Sequence, residues 1–355
     1  MFDLNYYKRL FSYLMRMVRK VLRFDLPSIE RSASEYIILC AAEEGVQQPA
    51  VTVKGQLTKA TGNYFGDLST YIEYATSLTA KHAATEVYRI ENVTYDNGYL
   101  YKGFIAEHVS SLGLPSHGVA HQVESMLLCS TPSGSRYFGD WLVADNCREL
   151  LAREMNIEPL KIRPHTQYIH LPELNKILGL RETYNEGTIF IKNLYVTNDQ
   201  GYNANKRARC NELRSNLRKN IVNDGKHNQM IYIGRGSSYS SGRGLINEAE
   251  VIEYLSSIGF LIIDPTQTSA IEILEKTINC SVVVGIEGSQ LAYGFLALKE
   301  GGLMLTLQPP YHFQSAFRPR CDAVGVRWGF VVGVEQTGGF DIDVKDVADV
   351  LKPWK

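Results

Sequence analysis

Short, wholly apolar runs alternate with amphipathic segments throughout the C-terminal half of the chain. The apolar runs predict strands and read MIYIG, FLIIDP, SVVVG, LMLTLQP and VRWGFVVGV. The segments beside them carry apolar residues at helical spacing and predict helices, namely NEAEVIEYLSSIG, TSAIEILEKTIN, SQLAYGFLALKE and VKDVADVLKPW. Strands that are apolar on both faces and alternate with helices are typical of a parallel sheet covered on both sides. We therefore expect a Rossmann-like domain whose first helix has Asn247 as its N-cap.

The N-terminal half has a less regular pattern. Residues 34–110 alternate short apolar runs with polar turns, and the glycine-, serine- and proline-rich segment 113–141 indicates loops around a short strand. Farther along, WLVADNCRELLAREMN and LPELNKIL predict helices, whereas EPLKIRPHTQYIH and TIFIKNLYVTND predict strands. The basic, polar segment 204–229 indicates a helix and a turn that link two domains.

The first 24 residues form a pattern of their own, MFDLNYYKRLFSYLMRMVRKVLRF. Apolar residues recur at helical spacing, and one acid, Asp3, stands against the basic residues Lys8, Arg9, Arg16, Arg19, Lys20 and Arg23. This pattern predicts a basic amphipathic helix, dispensable for the fold, that lies on an anionic membrane surface. The alternative is a helix packed on its own body or on a second subunit.

Length and composition narrow the class of protein. At 355 residues the chain is long enough for two domains of ordinary size, and its 45% hydrophobic and 21% charged residues are typical of a globular protein. A formal net charge of −1 offers no basic excess, so we expect no nucleic-acid partner. The predicted segments are a helix over 1–30, an α/β domain over 31–215, the Rossmann-like domain over 216–335 and a closing helix over 336–355.

The cysteines and apolar runs indicate a cellular compartment. The six cysteines are far apart and form no CxxC pair. This spacing argues against a zinc site and a disulfide framework, and it is typical of a reducing cytoplasm. No apolar run is long enough to span a bilayer, and no signal peptide is visible. We expect a cytoplasmic protein, with the N-terminal helix able to hold it on the inner face of the cell membrane.

Two glycine-containing turns follow adjacent predicted strands and suggest a phosphate site. In IGRGSSYSSGRG, Arg235 and Arg243 lie among glycines and serines at a strand end, which suits phosphate ligands. In VVVGIEGSQL, Gly285 and Gly288 let the backbone approach a ligand, and the N–H groups up to Ser289 and Gln290 open a helix toward an anion. Neither the P-loop nor the dinucleotide GxGxxG spacing is present, which disfavours a Rossmann-fold dehydrogenase.

The segment from 231 to 310 resembles the C-terminal half of family 61 glycosyltransferases. The matching positions are Arg235, Arg243, Asn247, Glu248, Gly285, Gly288, Leu291 and Gly302. A fainter resemblance extends upstream, where RYFGDWLVADN is similar to the family's aromatic segment and Trp141 matches. The resemblance implies a GT-B architecture, with two Rossmann-like domains facing a cleft. It also implies a nucleotide-sugar donor on the C-terminal domain, an acceptor in the cleft, and inversion without an obligatory metal or cofactor.

The sequence departs from the family pattern at two histidine positions. Asp140 replaces the histidine before the tryptophan, and Glu287 replaces the histidine of the later glycine turn. An inverting transfer needs a base that deprotonates the acceptor hydroxyl. Asp140 is the first candidate, with Glu287 and Asp145 in reserve. The structural alternatives are an N-cap for Asp140 and stabilisation of its own helix for Glu287.

Other side chains receive binding or structural roles. Glu287 is expected to face ribose or sugar hydroxyls, since phosphates would repel a carboxylate. Trp141, His117 and His121 are acceptor-binding candidates. The DxD motif formed by Asp341 and Asp343 looks like a metal motif, but we interpret Asp343 as a helix cap and expect no metal.

The leading hypothesis is a hexosyl- or pentosyltransferase that moves a sugar from a nucleotide sugar to a glycan or lipid-linked glycan in surface polysaccharide synthesis. Because both family histidines are replaced, a catalytically inactive nucleotide-sugar-binding or scaffold protein is the alternative. Turnover would distinguish the two, since an inactive protein would bind the donor without transferring its sugar.

Overall fold

The chain divides into two compact units, each assembled from separate stretches of sequence. The computed structural model describes residues 4–25, 27–63, 66–110, 114–116, 120–221, 229–235 and 243–354. Unit 1 contains residues 1–43, 83–169 and 180–209, and unit 2 contains residues 44–82, 170–179 and 210–355. The sequence predicts continuous domains, whereas here 44–82 and 170–179 group with the C-terminal residues.

The helices and strands follow one another along the chain as follows. The strands are β1 (Glu35–Cys40), β2 (Glu43–Val46), β3 (Thr79–His82), β4 (Thr85–Asp96), β5 (Tyr99–Lys102), β6 (Ile105–His108), β7 (His121–Leu128), β8 (Glu158–Leu160), β9 (Ile189–Asn198), β10 (Met230–Ile233), β11 (Gly244–Leu245), β12 (Phe260–Ile263), β13 (Val282–Ile286), β14 (Leu303–Gln308), β15 (Arg327–Val332), β16 (Val334–Gln336) and β17 (Gly339–Asp341). The helices are α1 (Leu4–Val21), α2 (Leu68–Thr76), α3 (Phe138–Asp140), α4 (Asn146–Glu154), α5 (Leu171–Ile177), α6 (Ala204–Asn220), α7 (Glu248–Ser257), α8 (Ala270–Thr277), α9 (Ala292–Ala297), α10 (Phe317–Asp322) and α11 (Val344–Leu351). Within the described ranges, no helix combines the length and the apolar character needed to cross a bilayer.

The main sheet of unit 2 is the parallel sheet that the apolar runs predict. Its strands lie in the order β12-β10-β13-β14-β15, and every neighbouring pair is parallel. Val282, Val284, Leu303 and Leu305 are completely buried in the core of this unit, as expected for strands covered on both faces. Each strand end is thereby held at a fixed register beside its neighbour.

A stretch from the N-terminal half completes unit 2. Val51 forms a parallel bridge with Gly329 of β15, and Thr61 donates a backbone hydrogen bond to the Pro310 carbonyl at 2.8 Å. Gln56 donates to Asp346 of α11 at 2.7 Å. This association has no signal in the sequence, because backbone pairing and isolated polar contacts leave no periodic pattern.

Helix α6, which we expected to serve as a linker, is held by buried arginines. The boundary between the units falls between Arg209 and Cys210, inside the helix. Within unit 2, Arg214 donates to the carbonyls of Phe295 and Leu298 at the end of α9, where the last helical carbonyls need partners. The helix is therefore structural, and the turn expected after it, residues 222–228, lies outside the described residues.

The sheet of unit 1 is mixed. Its strands lie in the order β6-β5-β4-β9-β7-β8, with β1 beside β4. The pairs of β4 with β1, β5 and β9 are antiparallel, whereas β7 runs parallel to β8 and β9. Unit 1 is an α/β unit, but it lacks the all-parallel sheet of the second Rossmann-like domain that the family resemblance implies. The long antiparallel strands keep polar residues on one face, which blurs the pattern of buried parallel strands.

Candidate active site

Three strand ends of the parallel sheet in unit 2 bring charged and polar side chains together. Because β10 lies between β12 and β13, the chain crosses from one side of β10 to the other after β12. Open parallel sheets bind ligands at the carboxyl ends of strands beside such a crossover. Arg235 follows β10, Glu287 follows β13, and His312 lies in a 3₁₀ turn after β14.

Arg243 contacts the side chains that follow β13 and β14. Its Nη1 donates to Oε2 of Glu287 at 3.1 Å and lies 3.0 Å from Nε2 of His312. Arg235 contributes a donor from the other side, since its Nη1 donates to the backbone carbonyl of Glu287 at 3.3 Å. Glu287 and His312 are each only 8% exposed. The structure thus gathers both sequence-predicted arginines around the glycine-flanked carboxylate, while residues 236–242 of their loop lie outside the described residues.

Burial and the two arginines shift the pKa values of Glu287 and His312. Burial raises the pKa of Glu287, and the nearby Arg243 and Arg235 guanidiniums oppose that rise. Burial, aided by the same two arginines, lowers the pKa of His312 to about 4. His312 is therefore neutral at pH 7, and its Nε2 accepts the hydrogen bond from Arg243. The Glu287–His312 approach of 3.6 Å is a contact with a neutral ring rather than an ion pair.

The glycines of this turn have packing roles. A Cβ on Gly285 would come within 2.7 Å of the Ile233 carbonyl, so this glycine allows β10 and β13 to lie side by side. A Cβ on Gly288 would come within 2.5 Å of Oε1 of Gln290, the end of a flexible side chain. Gln290 Nε2 donates to the Ile286 carbonyl at 2.6 Å, which closes the turn ahead of the 3₁₀ segment that begins at Ser289.

Two expected helix caps have different outcomes. Asp343 caps α11, because its side chain accepts from the Lys345 backbone N–H at 2.9 Å. Asn247 stands at the N-cap position of α7, but its side chain forms no capping bond there. It instead pairs with the backbone of Ile342 in both directions, at 2.8 and 3.0 Å. A contact across the fold competes here with the local cap.

The upstream candidates lie in unit 1, after the carboxyl end of β7. Asp140 ends the short helix α3 and is half-buried, and a π-helical turn over Trp141–Asp145 follows it. Such turns are frequent at functional sites. Trp141 is only 2% exposed and packs on Phe138 and Tyr168, with ring centroids 5.8 and 6.0 Å away. The ring expected to stack on an acceptor sugar is thus covered by protein here.

Asp145, the reserve base, is enclosed by the turn after β7. Its carboxylate accepts from the Thr131 hydroxyl at 2.7 Å, and a Cβ on Gly134 would meet its Oδ2 at 2.2 Å. Burial raises the pKa of Asp145 to about 7, although Arg148 and the Thr131 hydrogen bonds favour the charged form. A carboxyl that titrates near neutrality suits proton transfer, but this one is only 5% exposed.

Asp145→Asn is expected to change how stability depends on pH. The folded pKa of about 7 exceeds the ordinary value of 3.8. The carboxyl's contribution to folding stability is therefore fully present below pH 3.8 and is lost as pH rises through about 7. An asparagine stays neutral, so the free energy of unfolding of the variant rises relative to that of the wild type by roughly 3–4 kcal/mol between pH 4 and pH 8. Urea unfolding of both proteins across this range measures the difference, and parallel pH curves would contradict it.

The structure describes one of the two candidate histidines upstream, His121. His121 is exposed at the start of β7, with its backbone N–H bonded to the Thr188 carbonyl at 2.9 Å. Asp140 follows β7 in the chain, twelve residues after Leu128. His117 lies outside the described residues. Of the described acceptor-side candidates, His121 is thus exposed, whereas Trp141 is buried.

His312 is the site residue that the sequence analysis misses. It is one of eight histidines, and its segment QPPYH carries no family motif. Its position directly after LMLTLQ is the available signal, because polar residues at the carboxyl end of a parallel strand meet those of the neighbouring strands. Applying that rule to every predicted strand, and not only to the glycine-rich turns, would have selected it.

Comparison with known proteins gives the same family as the motif around this cluster. The sequence matches the family model described as Glycosyltransferase 61 over residues 101–304, which is more than half of the chain. That range includes Arg235, Arg243 and Glu287, and it extends upstream to Asp140. A search of curated proteins found no match. The chain belongs to the glycosyltransferase 61 family.

Proposed function

We propose that this protein is an inverting, metal-independent glycosyltransferase that moves a hexosyl or pentosyl group from a nucleotide sugar to a glycan or lipid-linked glycan. Family membership supports the transferase class and implies a nucleotide-sugar donor and a glycan acceptor. We further propose a role in surface polysaccharide synthesis, in the cytoplasm at the inner face of the cell membrane. A GT-B arrangement, with the donor on unit 2 and the acceptor on unit 1, completes the proposal.

The observation that carries it is the arginine cluster at the crossover of the parallel sheet. The donor's diphosphate would lie between Arg235, Arg243 and the turn from Gly285 through Ser289 to Gln290. Guanidinium groups match phosphate oxygens in geometry and charge. They would also stabilise the negative charge on the departing nucleoside diphosphate, which is how such a site lowers the barrier without a metal.

Glu287 and His312 would prepare Arg243 for this task. The carboxylate and the neutral imidazole both contact Nη1 of Arg243, at 3.1 and 3.0 Å. These two contacts limit the rotation of the guanidinium and so reduce what donor binding must order. We therefore propose that Glu287 orients Arg243, in addition to the contact with sugar hydroxyls expected from the sequence. His312, from the next strand end, would supply an imidazole beside the position where the family has a histidine.

The base would come from unit 1. In an inverting step, the base takes the proton from an acceptor hydroxyl as its oxygen attacks the anomeric carbon, and the bond from that carbon to the diphosphate breaks. Asp140 is the proposed base, because its half-buried carboxylate is more accessible than that of Asp145. Donor and acceptor groups would then be supplied by different units.

The competing candidate is a nucleotide-sugar-binding protein without transfer activity. The contact between Glu287 and Arg243 favours it, because a carboxylate held by an arginine is less available as a base. A screen of uridine, guanosine and cytidine nucleotide sugars by thermal shift would identify the donor in either case. Radiolabelled sugar transfer from that donor to cell-envelope glycan or glycolipid would then separate the two, since a binding protein gives stabilisation without product.

Removing the arginines is expected to weaken donor binding. Arg243→Ala should cost ~1.5–3 kcal/mol of nucleotide-sugar affinity, the range for hydrogen bonds to charged groups. Glu287→Gln should lose affinity as well as rate, since it loosens Arg243. Calorimetry with the donor found in the screen measures both, and Lys276→Ala, which removes a surface ion pair of the same unit, is the matched control. Unchanged affinity in a folded Arg235→Ala/Arg243→Ala protein would exclude this site.

A further inference from the structure

Helix α1 packs on unit 1 through its polar face. Arg9 donates to the carboxylate of Asp96 at 2.9 Å, Ser12 bonds the Gly103 carbonyl at 3.2 Å, and Arg16 bonds the Ala106 carbonyl at 2.9 Å. Arg9 and Ser12 are buried by these contacts. Because an α-helix turns 100° per residue, residues 9, 12 and 16 lie on one side of it. The side turned toward the protein therefore carries these polar residues, and Tyr13 packs there on Tyr99.

The opposite side of α1 is apolar and exposed. Its members, together with the residue that follows the helix, are each at least 48% exposed: Tyr7, Phe11, Leu14, Val18, Val21 and Leu22. Their spacing of three and four residues places them within a single stripe about 100° wide. A helix on the surface of a globular protein normally shows the reverse arrangement, with its apolar stripe toward the core. The inverted orientation presents the stripe to something outside the unit.

A neighbouring turn and the end of the helix enlarge this surface. Phe104, at the tip of the hairpin between β5 and β6, is 78% exposed and meets the ring of Phe11 edge-on at 6.0 Å. Phe24, just beyond the helix, is also exposed. Two separate elements of unit 1 thus contribute apolar side chains to one face, which we call the α1 face. Contiguous exposed apolar surface of this kind marks an interaction site.

Lys8 and Arg19 lie along one edge of the α1 face, whereas Lys20 is on the side of Arg16 and Arg23 follows the helix. Lys8, Lys20 and Arg23 are exposed, and Arg19 is half-buried. The acid in the described part of this segment is Asp25, which follows Phe24. An apolar stripe on a helix whose remaining surface carries basic residues is the pattern of helices that lie in the interface of an anionic bilayer. A partner protein or a second copy would instead need a complementary surface, and basic flanks do not match another copy of themselves.

We propose that the α1 face docks unit 1 on an anionic lipid surface, with Phe11, Val18 and Phe104 at the level of the acyl chains and the basic side chains at the headgroups. Each basic residue near such a surface contributes about a fivefold change in partitioning. Arg9 and Arg16 are committed to contacts within unit 1, so the attraction comes mainly from the remaining four basic residues. The docking is independent of sugar transfer and does not require the proposed function.

The test uses the full chain and lipid vesicles. The wild type is expected to float with vesicles that contain phosphatidylglycerol, to bind phosphatidylcholine vesicles more weakly, and to release at high salt. Phe11→Gln/Val18→Gln should lower the partition coefficient at least about tenfold, because it removes apolar area from the inserted face. Lys20→Gln/Arg23→Gln should reduce binding to the anionic vesicles but not to the neutral ones. All these side chains point outward, so circular dichroism should show intact folds.

The matched control is Val46→Gln/Val334→Gln, which removes two exposed apolar side chains of unit 2 and should leave vesicle binding unchanged. Equal binding by this control and the α1-face variant, with both weaker than the wild type, would overturn the assignment. A wild type that binds no vesicles would also overturn the assignment. In that case the protein is either a monomer or a concentration-dependent dimer that Phe11→Gln/Val18→Gln dissociates. In the dimer case, the α1 face would belong to a second copy of the chain.

Discussion

Asp140→Asn is expected to lower turnover at least ~100-fold, the low end of what a general base contributes. The amide keeps the size and hydrogen-bonding reach of the side chain but cannot take the acceptor's proton. Because Asp140 lies in unit 1 and the arginine cluster lies in unit 2, donor affinity should hardly change. Initial rates of sugar transfer and calorimetric donor affinity, measured on the same preparation, report the two quantities separately.

Two companion variants make that result decisive. Asp145→Asn tests the buried carboxyl whose pKa lies near 7, and Glu287→Gln tests the carboxylate that contacts Arg243. If Asp140 is the base, Asp145→Asn retains most of the turnover, whereas Glu287→Gln loses rate and affinity together. Full activity in Asp140→Asn would transfer the role to one of the other two. Full activity in all three amide variants would show that none of these carboxylates is the base.

Arg9→Met is expected to destabilise unit 1 by about 3–5 kcal/mol, the cost of breaking a buried ion pair by removing one partner. Asp96 is fully buried, and its carboxylate accepts from Arg9 at 2.9 Å and from the Ser116 hydroxyl at 2.7 Å. The methionine fills much of the space of the arginine stem but leaves the carboxylate without its cation. Urea unfolding monitored by circular dichroism measures the loss.

The control is Lys20→Met, an exposed position on the same helix that should change stability by no more than ~0.5 kcal/mol. Adding Asp96→Asn to Arg9→Met should recover part of the loss, since a neutral amide needs no cation. If the double variant is no more stable than Arg9→Met alone, the cost lies elsewhere in the packing of α1. Deleting residues 1–24, which the sequence predicts to be dispensable for the fold, would likewise remove the partner of Asp96.

The parallel sheet of unit 2 was predictable because its signal is local. A strand buried on both faces is apolar at most positions, so Val282–Ile286 and Leu303–Gln308 can be recognised without knowing their neighbours. The cap at Asp343 is local in the same way, since donor and acceptor are two residues apart. The mixed sheet of unit 1 has no such signal. Its pairing depends on which strands meet, and residues 85–96 pair with residues 189–198, about a hundred positions away.

In the candidate site, too, some features follow from local sequence and others depend on tertiary contacts. The sequence by itself determined the family, the parallel sheet, and the two arginines and the glycine-flanked acid at strand ends, because each rests on residues close together in the chain. Only the tertiary structure decided that His312 joins Arg243 and Glu287, that Trp141 is buried, that His121 is exposed, and that α1 turns its apolar face outward. These facts depend on which distant segments come into contact, and contacts between distant segments are set by the packing of the whole unit rather than by any local pattern.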